Sequence, residues 1–412
     1  MDELTNRRWV VRCCYLGMFV QAMVINLAPL LFIPLKDQLG LTFEQVGRLI
    51  LINFMTQMTA DLACTGLADR VSSKLLTVLA NVTAALGLVW FALGSLSPDH
   101  AYAHLMVGTV IFSVGCGLLE VLLSPIINAV PSERKAGAMA LLHACYPIGK
   151  VAVILITGTT LYLVGAQHWR AIMIAWALVP MLNTVGFLLV KLPALAEPGR
   201  RQRLRELVGI PSYVIAVIAL GFAGATEVTL AQWTSAFAER GLGFSKVVAD
   251  VVGFGLFGVG MIAGRLWFGF KGEGHQLSRW LQAGSWGSVL ICLVISLSPW
   301  PVVSLGAGLF AGFFVSMLWP GVVSLTAARF PLAGASMFAL LAAGGDAGAG
   351  FMPWLVGVLT DQAAHLPSTW MNLFGHPLTP EQFGLRTGIL VTSLCPILLS
   401  LLLVRFHRNN SR

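Results

Sequence analysis

Long apolar runs, each bounded by glycine, proline or charged residues, repeat along the whole chain. Most of them reach the length of about 20 residues that a helix needs to cross a bilayer. A helix satisfies its own backbone hydrogen bonds within lipid, so each run predicts a membrane-spanning helix. Twelve runs are found, at residues 11–34, 44–67, 75–97, 102–127, 137–164, 169–192, 211–237, 247–270, 279–298, 302–327, 334–360 and 386–405.

The composition agrees with this prediction. Of the 412 residues, 57% are hydrophobic and 11% are charged, whereas a soluble domain carries about 25% charged residues. The net charge of +8 does not indicate nucleic-acid binding, because the basic residues are scattered through short loops. We predict an all-α polytopic membrane protein, monomeric, whose partners are the lipid bilayer and a small-molecule solute.

Basic residues indicate the orientation of the chain. If the amino terminus is cytoplasmic, 19 Lys and Arg residues fall on the cytoplasmic side and 6 on the other, with Lys150 inside a span. Loops rich in Lys and Arg stay in the cytoplasm. Both termini are therefore predicted to be cytoplasmic, in the cell (inner) membrane, and the number of spans to be even.

One long charged connection, from Lys191 to Ile210, divides six spans from six. We expect an amino-terminal half at 1–192, a cytoplasmic linker at 193–210 and a carboxy-terminal half at 211–412. Two six-helix repeats in parallel orientation are typical of one large transporter class, which binds its solute between the halves near mid-membrane.

The connection after the second span carries a recognisable motif. Residues 67–74, LADRVSSK, resemble the loop G-x-L-A-D-R-x-G-R-K of the major facilitator superfamily, with matches at Asp69, Arg70 and Lys74. Thr65 stands at the first glycine of the motif, and its later Gly and Arg are both Ser here. The resemblance implies twelve helices in two pseudo-symmetric halves and a cytoplasmic gate at this loop.

The eighth span ends in GRLWFG at residues 264–269, which resembles a degenerate second copy of the same motif. Asp61 lies about two turns before the first copy and is expected to join the gate rather than a solute site. The predicted gate residues are Asp61, Asp69, Arg70, Lys74 and Arg265.

A finer resemblance concerns the fourth span. Residues 117–128, GLLEVLLSPIIN, are similar to that span in the fucose–proton symporter group and its sodium–glucose relatives, where an embedded Glu serves ion coupling. In the second half of the chain, the pattern of Glu227, Trp233 and Arg265 is similar to the pattern at the corresponding spans of that group. The acidic residue of the group's first span is absent, since Gln21 and Asn26 are the polar side chains well inside that span. The resemblance implies a sugar carrier coupled to H+ or Na+.

Polar residues inside the spans supply the remaining candidates, because a charge in the membrane costs at least about 2.5 kcal/mol unless it pairs or meets water. Asn53, Gln57 and Asp61 recur every four residues, so they share one helical face that must point away from lipid. Hydrogen bonds that only hold the bundle together are the alternative for this face.

Glu120 lies about 15 Å above the cytoplasmic end of its span. His143 and Lys150 are seven residues apart in the next span, on one face, and can meet this carboxylate. We predict that Glu120, His143 and Lys150 form the ion-coupling site; a static ion pair is the alternative.

In the second half, Asp346 lies among four glycines at positions 344–350. Such a stretch is expected to bend beside a cavity, or else to pack closely against another helix. The predicted solute-binding residues are Asn26, Asn53, Gln57, Glu120, His143, Glu227, Trp233 and Asp346.

These features favour a secondary transporter that imports a small polar solute, a sugar or related polyol, by alternating access. A drug or metabolite exporter of the same fold is one alternative, and a non-transporting membrane sensor is another. We find no nucleophile motif, phosphate loop or metal-ligand pattern, so no enzyme activity, metal or cofactor is expected beyond the coupling ion.

Overall fold

The computed structural model describes residues 2–67, 71–94, 96–131, 135–193, 207–271, 277–330, 334–375 and 377–408. The regular structure within these ranges is helical. By its contacts the chain forms two compact units, Met1–Pro34 with Ile52–Gly199 and Leu35–Leu51 with Arg200–Arg412.

Fifteen α-helices are described. The first seven are α1 (Glu3–Leu30), α2 (Phe32–Leu39), α3 (Phe43–Leu67), α4 (Ser73–Gly94), α5 (Ala101–Ala129), α6 (Lys135–Val164) and α7 (Trp169–Leu189). The others are α8 (Pro211–Ala236), α9 (Gly255–Lys271), α10 (Leu277–Leu297), α11 (Pro301–Val315), α12 (Leu318–Arg329), α13 (Gly334–Gln362), α14 (Pro380–Thr392) and α15 (Leu394–Arg408). Two π-helical turns, Phe237–Gly241 and Val248–Phe254, lie between α8 and α9.

Eleven segments of the described chain are long and apolar enough to cross a membrane. The 25-residue helix α3 adds a twelfth, since it is about 37 Å long at 1.5 Å per residue and its hydropathy is lowered by its polar face. The prediction of twelve spanning helices is therefore confirmed for the described residues. In the first unit α4 packs along α5 and α7, and α1 along α6. In the second unit α8 packs along α13 and α15.

The helix of the tenth apolar run is interrupted at Ser316 and Met317, between α11 and α12. Pro320 accounts for this break, because its ring crowds the carbonyl of Ser316 and it has no N–H to donate. The glycine-rich stretch at 344–350 is, by contrast, continuous α-helix within α13. The backbone therefore does not open at this stretch.

The segment Leu35–Leu51 belongs by its contacts to the second unit. The Asp361 carboxylate accepts hydrogen bonds from the backbone N–H groups of Phe43 (3.1 Å) and Glu44 (2.7 Å), in the first turn of α3. A carboxylate at this end of a helix also interacts favourably with the helix dipole.

The helix α3 begins with a capping box. The Thr42 side chain accepts from the Gln45 backbone N–H at 3.1 Å, and the Gln45 side chain accepts from the Thr42 backbone N–H at 3.0 Å. Lys36 also pairs with Glu381 at 3.3 Å, and Asp37 with Arg240. The segment is thus fastened to α13, α14 and the first π-helical turn.

Candidate functional site

The polar face of α3 is buried in the first unit. Asn53, Gln57 and Asp61 are 6%, 1% and 1% exposed, as their spacing predicts. Asn53 accepts a hydrogen bond of 2.7 Å from the Ser113 hydroxyl of α5. This contact corresponds to the alternative reading of Asn53, an interhelical bond that holds the bundle.

Asp61 and Glu120 lie at the place where α3 meets α5. Gly117 permits the approach, because a Cβ on it would lie 2.8 Å from Asp61 Oδ1 and 3.0 Å from the Ala60 methyl. Neither carboxyl oxygen of Asp61 has a hydrogen-bond partner among the described residues. Glu120 lies three residues after Gly117, on the same face of α5.

Gln21 of α1 completes this group. Its Nε2 donates a hydrogen bond of 2.8 Å to Glu120 Oε2, and its side chain is 3% exposed. We call Gln21, Asp61 and Glu120 the acidic cluster. The sequence analysis did not name Gln21 as a site residue, although its place as a rare polar residue in the first span was a usable signal.

The two basic residues predicted beside Glu120 both lie on α6. His143 is exposed and Lys150 is 5% exposed. Gly149, next to Lys150, packs against α1, where a Cβ would lie 3.0 Å from the Phe19 carbonyl oxygen. The proposed coupling role of these two residues stays a prediction.

Of the predicted gate residues, Asp69 and Arg70 lie outside the described residues. Lys74 donates hydrogen bonds to the carbonyl oxygens of Leu188 (2.7 Å) and Val190 (2.9 Å) at the end of α7. Its ammonium therefore satisfies carbonyls that the helix leaves without a partner. The described contacts of Lys74 are those of a helix cap, and its role as a gate stays a prediction.

In the second unit, Arg265 of α9 pairs with Glu227 of α8, with 3.5 Å between Nη2 and Oε1. The sequence analysis assigned these two residues to different roles, a gate and a solute site, and did not pair them. Their helices are separated in sequence by the two π-helical turns.

Two of the predicted solute-binding residues make packing contacts. Trp233 is 0% exposed; its indole donates to the Pro353 carbonyl at 2.9 Å and its ring packs on Phe43 with centroids 5.9 Å apart. Asn26 is 1% exposed and donates to the Ala22 carbonyl of its own helix at 2.8 Å. Neither side chain is accessible in this conformation.

Asp346 is 4% exposed and lies where α13 crosses α8. A Cβ on Gly348 would lie 1.8 Å from the Gly221 carbonyl oxygen, and one on Gly224 would lie 2.4 Å from the Gly345 carbonyl oxygen. The glycines thus allow two helix backbones to touch. The four-glycine stretch serves close packing, which was the alternative to a bend.

No group of three or more His, Cys, Asp or Glu side chains suited to a metal ion occurs in the described ranges. The first unit thus has a polar group inside the membrane, the acidic cluster on α1, α3 and α5. The second unit has the ion pair of Glu227 and Arg265 on α8 and α9. Acidic side chains inside spanning helices are typical of proton and ion pathways.

Solved structures share the architecture of this chain. A bacterial homologue of the human lysosomal transporter Spinster, inward-facing and unoccupied, matches with a TM-score of 0.77 and 14% identity, over 99% of this chain and 98% of that one. The D-xylose–proton symporter matches with a TM-score of 0.74 and 14% identity, over 94% and 96%. The Escherichia coli fucose–proton symporter matches with a TM-score of 0.63 and 16% identity, over 96% and 98%. Such identities establish the fold alone.

A search of curated protein sequences finds no match to this chain. The sequence model of the Major Facilitator Superfamily matches residues 14–280, more than half of the chain. The match contains the motif at 67–74 and the acidic cluster. The chain belongs to the major facilitator superfamily of membrane transporters.

Proposed function

We propose that this protein is a secondary active transporter that moves a small polar solute, a sugar or related polyol, by alternating access coupled to protons. The acidic cluster is the proposed coupling site. The names of two proteins of similar fold, the D-xylose–proton and fucose–proton symporters, agree with proton coupling and with a sugar as solute.

The observation that carries the proposal is the juxtaposition of Asp61 and Glu120. Two carboxylates near each other within a membrane repel, and protonation of either one removes the repulsion. The carrier can then cross its occluded state without an uncompensated buried charge. The proton enters with the solute on one side of the membrane and leaves on the other.

Gln21 bears on the proton at this site. It presents an N–H group to Glu120, and a hydrogen bond of this kind stabilises the ionised carboxylate, so it favours release of the proton. His143 and Lys150 stay proposed partners, and His143→Ala should shift the pH profile of uptake rather than abolish uptake.

Flux into proteoliposomes tests the proposal. Labelled sugars, organic acids and organic cations are each offered with and without a pH gradient. Glu120→Gln mimics the protonated form, so it should abolish gradient-driven accumulation while counterflow exchange persists; Asp61→Asn should do the same. Glu3→Gln removes a carboxylate with an 80% exposed side chain and should behave like wild type. Gradient-driven accumulation at the wild-type level by Glu120→Gln would exclude this residue from coupling.

A further inference from the structure

The ion pair between Glu227 and Arg265 is weakly engaged. Nη2 of Arg265 lies 3.5 Å from Oε1 of Glu227, and the two side chains are 31% and 13% exposed respectively. Nε of Arg265 is buried and has no hydrogen-bond partner in the part of the chain that the structure describes. A distance of 3.5 Å is at the long limit for a hydrogen bond.

A second pair in the same unit shows what a satisfied arrangement looks like. Arg48 donates to Glu44 through Nε at 2.9 Å and through Nη2 at 2.7 Å. Both donors on one edge of that guanidinium are therefore occupied by one carboxylate. On the corresponding edge of Arg265, one donor is unoccupied and the other is held loosely.

The Nε and Nη2 hydrogens of an arginine match the spacing of the two oxygens of a carboxylate. This edge of Arg265 therefore matches a carboxylate in the spacing of its donors. Because Nε is buried in this conformation, a solute would reach the edge only in a state of the transport cycle in which the pair is exposed. Glu227 lies well inside its membrane segment, 16 residues after Pro211 and 14 before Gly241, which is about 21–24 Å from the two ends at 1.5 Å per residue. Arg265 lies two residues before Trp267, the last residue of its own segment, and its long side chain reaches toward Glu227.

An aromatic surface adjoins this position. The Trp319 indole packs on α8 at Gly224, where a Cβ would lie 2.9 Å from the ring. Gly224 is one helical turn before Glu227, and Trp319 is partly exposed. Polyhydroxylated chains and sugar rings pack their C–H faces on such rings while their hydroxyl groups bond elsewhere.

We propose that Arg265 binds a carboxylate of the transported solute, and that Glu227 takes up a proton when it does so. The solute class is then a small polyhydroxy monocarboxylate, such as a sugar acid. This inference rests on the proposed function, because it names the solute of that carrier.

Charge balance supports a monocarboxylate. Before binding, one guanidinium and one carboxylate sum to zero; afterwards the guanidinium, the solute carboxylate and a neutral Glu227 also sum to zero. The proton comes from the side on which the solute enters. A phosphate ester carries a charge of about −1.5 to −2, which one arginine does not balance.

Other charged groups on the elements packed around α8 must be considered in any pH dependence. Asp346 of α13 is one of them, since α13 crosses α8 one to two turns before Glu227. The others lie toward the ends of the segment: Glu239, Arg240, Asp250, Arg329, Asp361, Glu381, Arg386 and Arg405. Among these charged groups, the structure shows an ion pair of Glu227 with Arg265.

Equilibrium binding to the purified protein tests this inference with D-gluconate and sorbitol, which differ only in the carboxylate at one end of the same six-carbon chain. Wild type should bind gluconate at least about tenfold more tightly than sorbitol, as expected for a charge-assisted bidentate contact. Arg265→Gln should remove this preference, and Arg265→Lys should restore part of it. Glu227→Gln should retain gluconate binding but show a weaker dependence on pH, the remaining dependence being that of the acidic cluster. Arg12→Gln, at an exposed arginine of α1, should leave the preference unchanged.

Equal affinity for gluconate and sorbitol, no gluconate binding by wild type, or full preference in Arg265→Gln would each overturn the inference. Tighter binding of glucose 6-phosphate than of gluconate would also overturn it. Thermal unfolding of each variant shows whether a lost preference reflects misfolding. If Arg265→Gln does not fold, Arg265→Lys is the test: a folded Arg265→Lys protein with no preference for gluconate would overturn the inference. Proton-driven accumulation of a neutral sugar, without gluconate binding, would overturn this inference and leave the proposed function intact.

Discussion

The Trp354 indole donates a hydrogen bond of 2.6 Å to Oε1 of Glu44, at the beginning of α3. The two helices are close there because of two glycines. A Cβ on Gly47 would lie 3.0 Å from Cα of Trp354, and one on Gly357 would lie 2.3 Å from the carbonyl oxygen of Phe43. With the cap from Asp361, these contacts fix the first turns of α3 to α13.

Replacing Asp361 should weaken this attachment. Asp361→Ala leaves the N–H groups of Phe43 and Glu44 without their acceptor, and loss of a helix cap costs about 0.5–2 kcal/mol. We expect a lower midpoint of thermal unfolding in detergent. Glu381→Ala is the control, because its pair with Lys36 is 40% exposed on the carboxylate side and surface pairs contribute about 0–1 kcal/mol. Equal midpoints for the two variants would contradict the capping role.

The crossing of α8 and α13 should not tolerate a side chain at Gly348. In Gly348→Ala the new Cβ would meet the Gly221 carbonyl oxygen at 1.8 Å, so the helices must separate; overpacking costs about 1–3 kcal/mol. Gly306→Ala in α11 is a matched control, since nothing lies within 4 Å of its Cβ position. Thermal unfolding should show a loss for the first variant and no loss for the second. A Gly348→Ala protein as stable as wild type would mean that the backbones separate at little cost.

Arg386 is expected to be essential for the end of α10. Its side chain is 2% exposed, and Nη1 donates to the carbonyl oxygens of Ser296 (2.9 Å) and Ser298 (2.8 Å). In Arg386→Met these two carbonyl oxygens lose their donor, and each buried acceptor left without a partner lowers the free energy of unfolding by about 1–3 kcal/mol. Faster proteolysis of the connection after α10 should accompany a lower unfolding midpoint. The exposed Arg405→Gln should change neither, and a stable Arg386→Met protein would refute the capping role.

The orientation of the chain in the membrane is a separate prediction. It rests on the 19-to-6 distribution of basic residues and places both termini and the linker in the cytoplasm. Gly199→Cys and Gln362→Cys, each in a cysteine-free background, should react with an impermeant maleimide from opposite sides, Gln362→Cys from outside intact cells. Labelling of both from outside would overturn the orientation.

The sequence was sufficient for features that depend on neighbours along the chain. Apolar runs located the spanning helices, and the four-residue recurrence of Asn53, Gln57 and Asp61 identified a buried face of α3. Contacts between distant segments were harder, because local periodicity gives the face of a residue but not the helix that meets it. Gln21 and Asp61 were therefore not grouped with Glu120.

Glycine shows the same limitation. At Gly344 and Gly348 it weakens a helix in isolation, and the sequence suggested a bend; the structure shows that its small size matters because α8 lies against it. Trp233 was ambiguous for a related reason, since an aromatic ring serves packing or solute binding according to what surrounds it. These properties depend on a partner that the local sequence does not specify.

The assignment of Leu35–Leu51 to the second unit has a consequence for biosynthesis. These residues leave the ribosome long before Asp361 and Glu381, the side chains that fasten them. Domains generally fold one after another during synthesis, but here the second unit includes residues made at the start of translation. The segment Leu35–Leu51 therefore stays without its contacts to Asp361 and Glu381 until α13 and α14 are inserted in the membrane. A chain divided in the linker would release a carboxy-terminal fragment that lacks this segment, and refolding should require both fragments together.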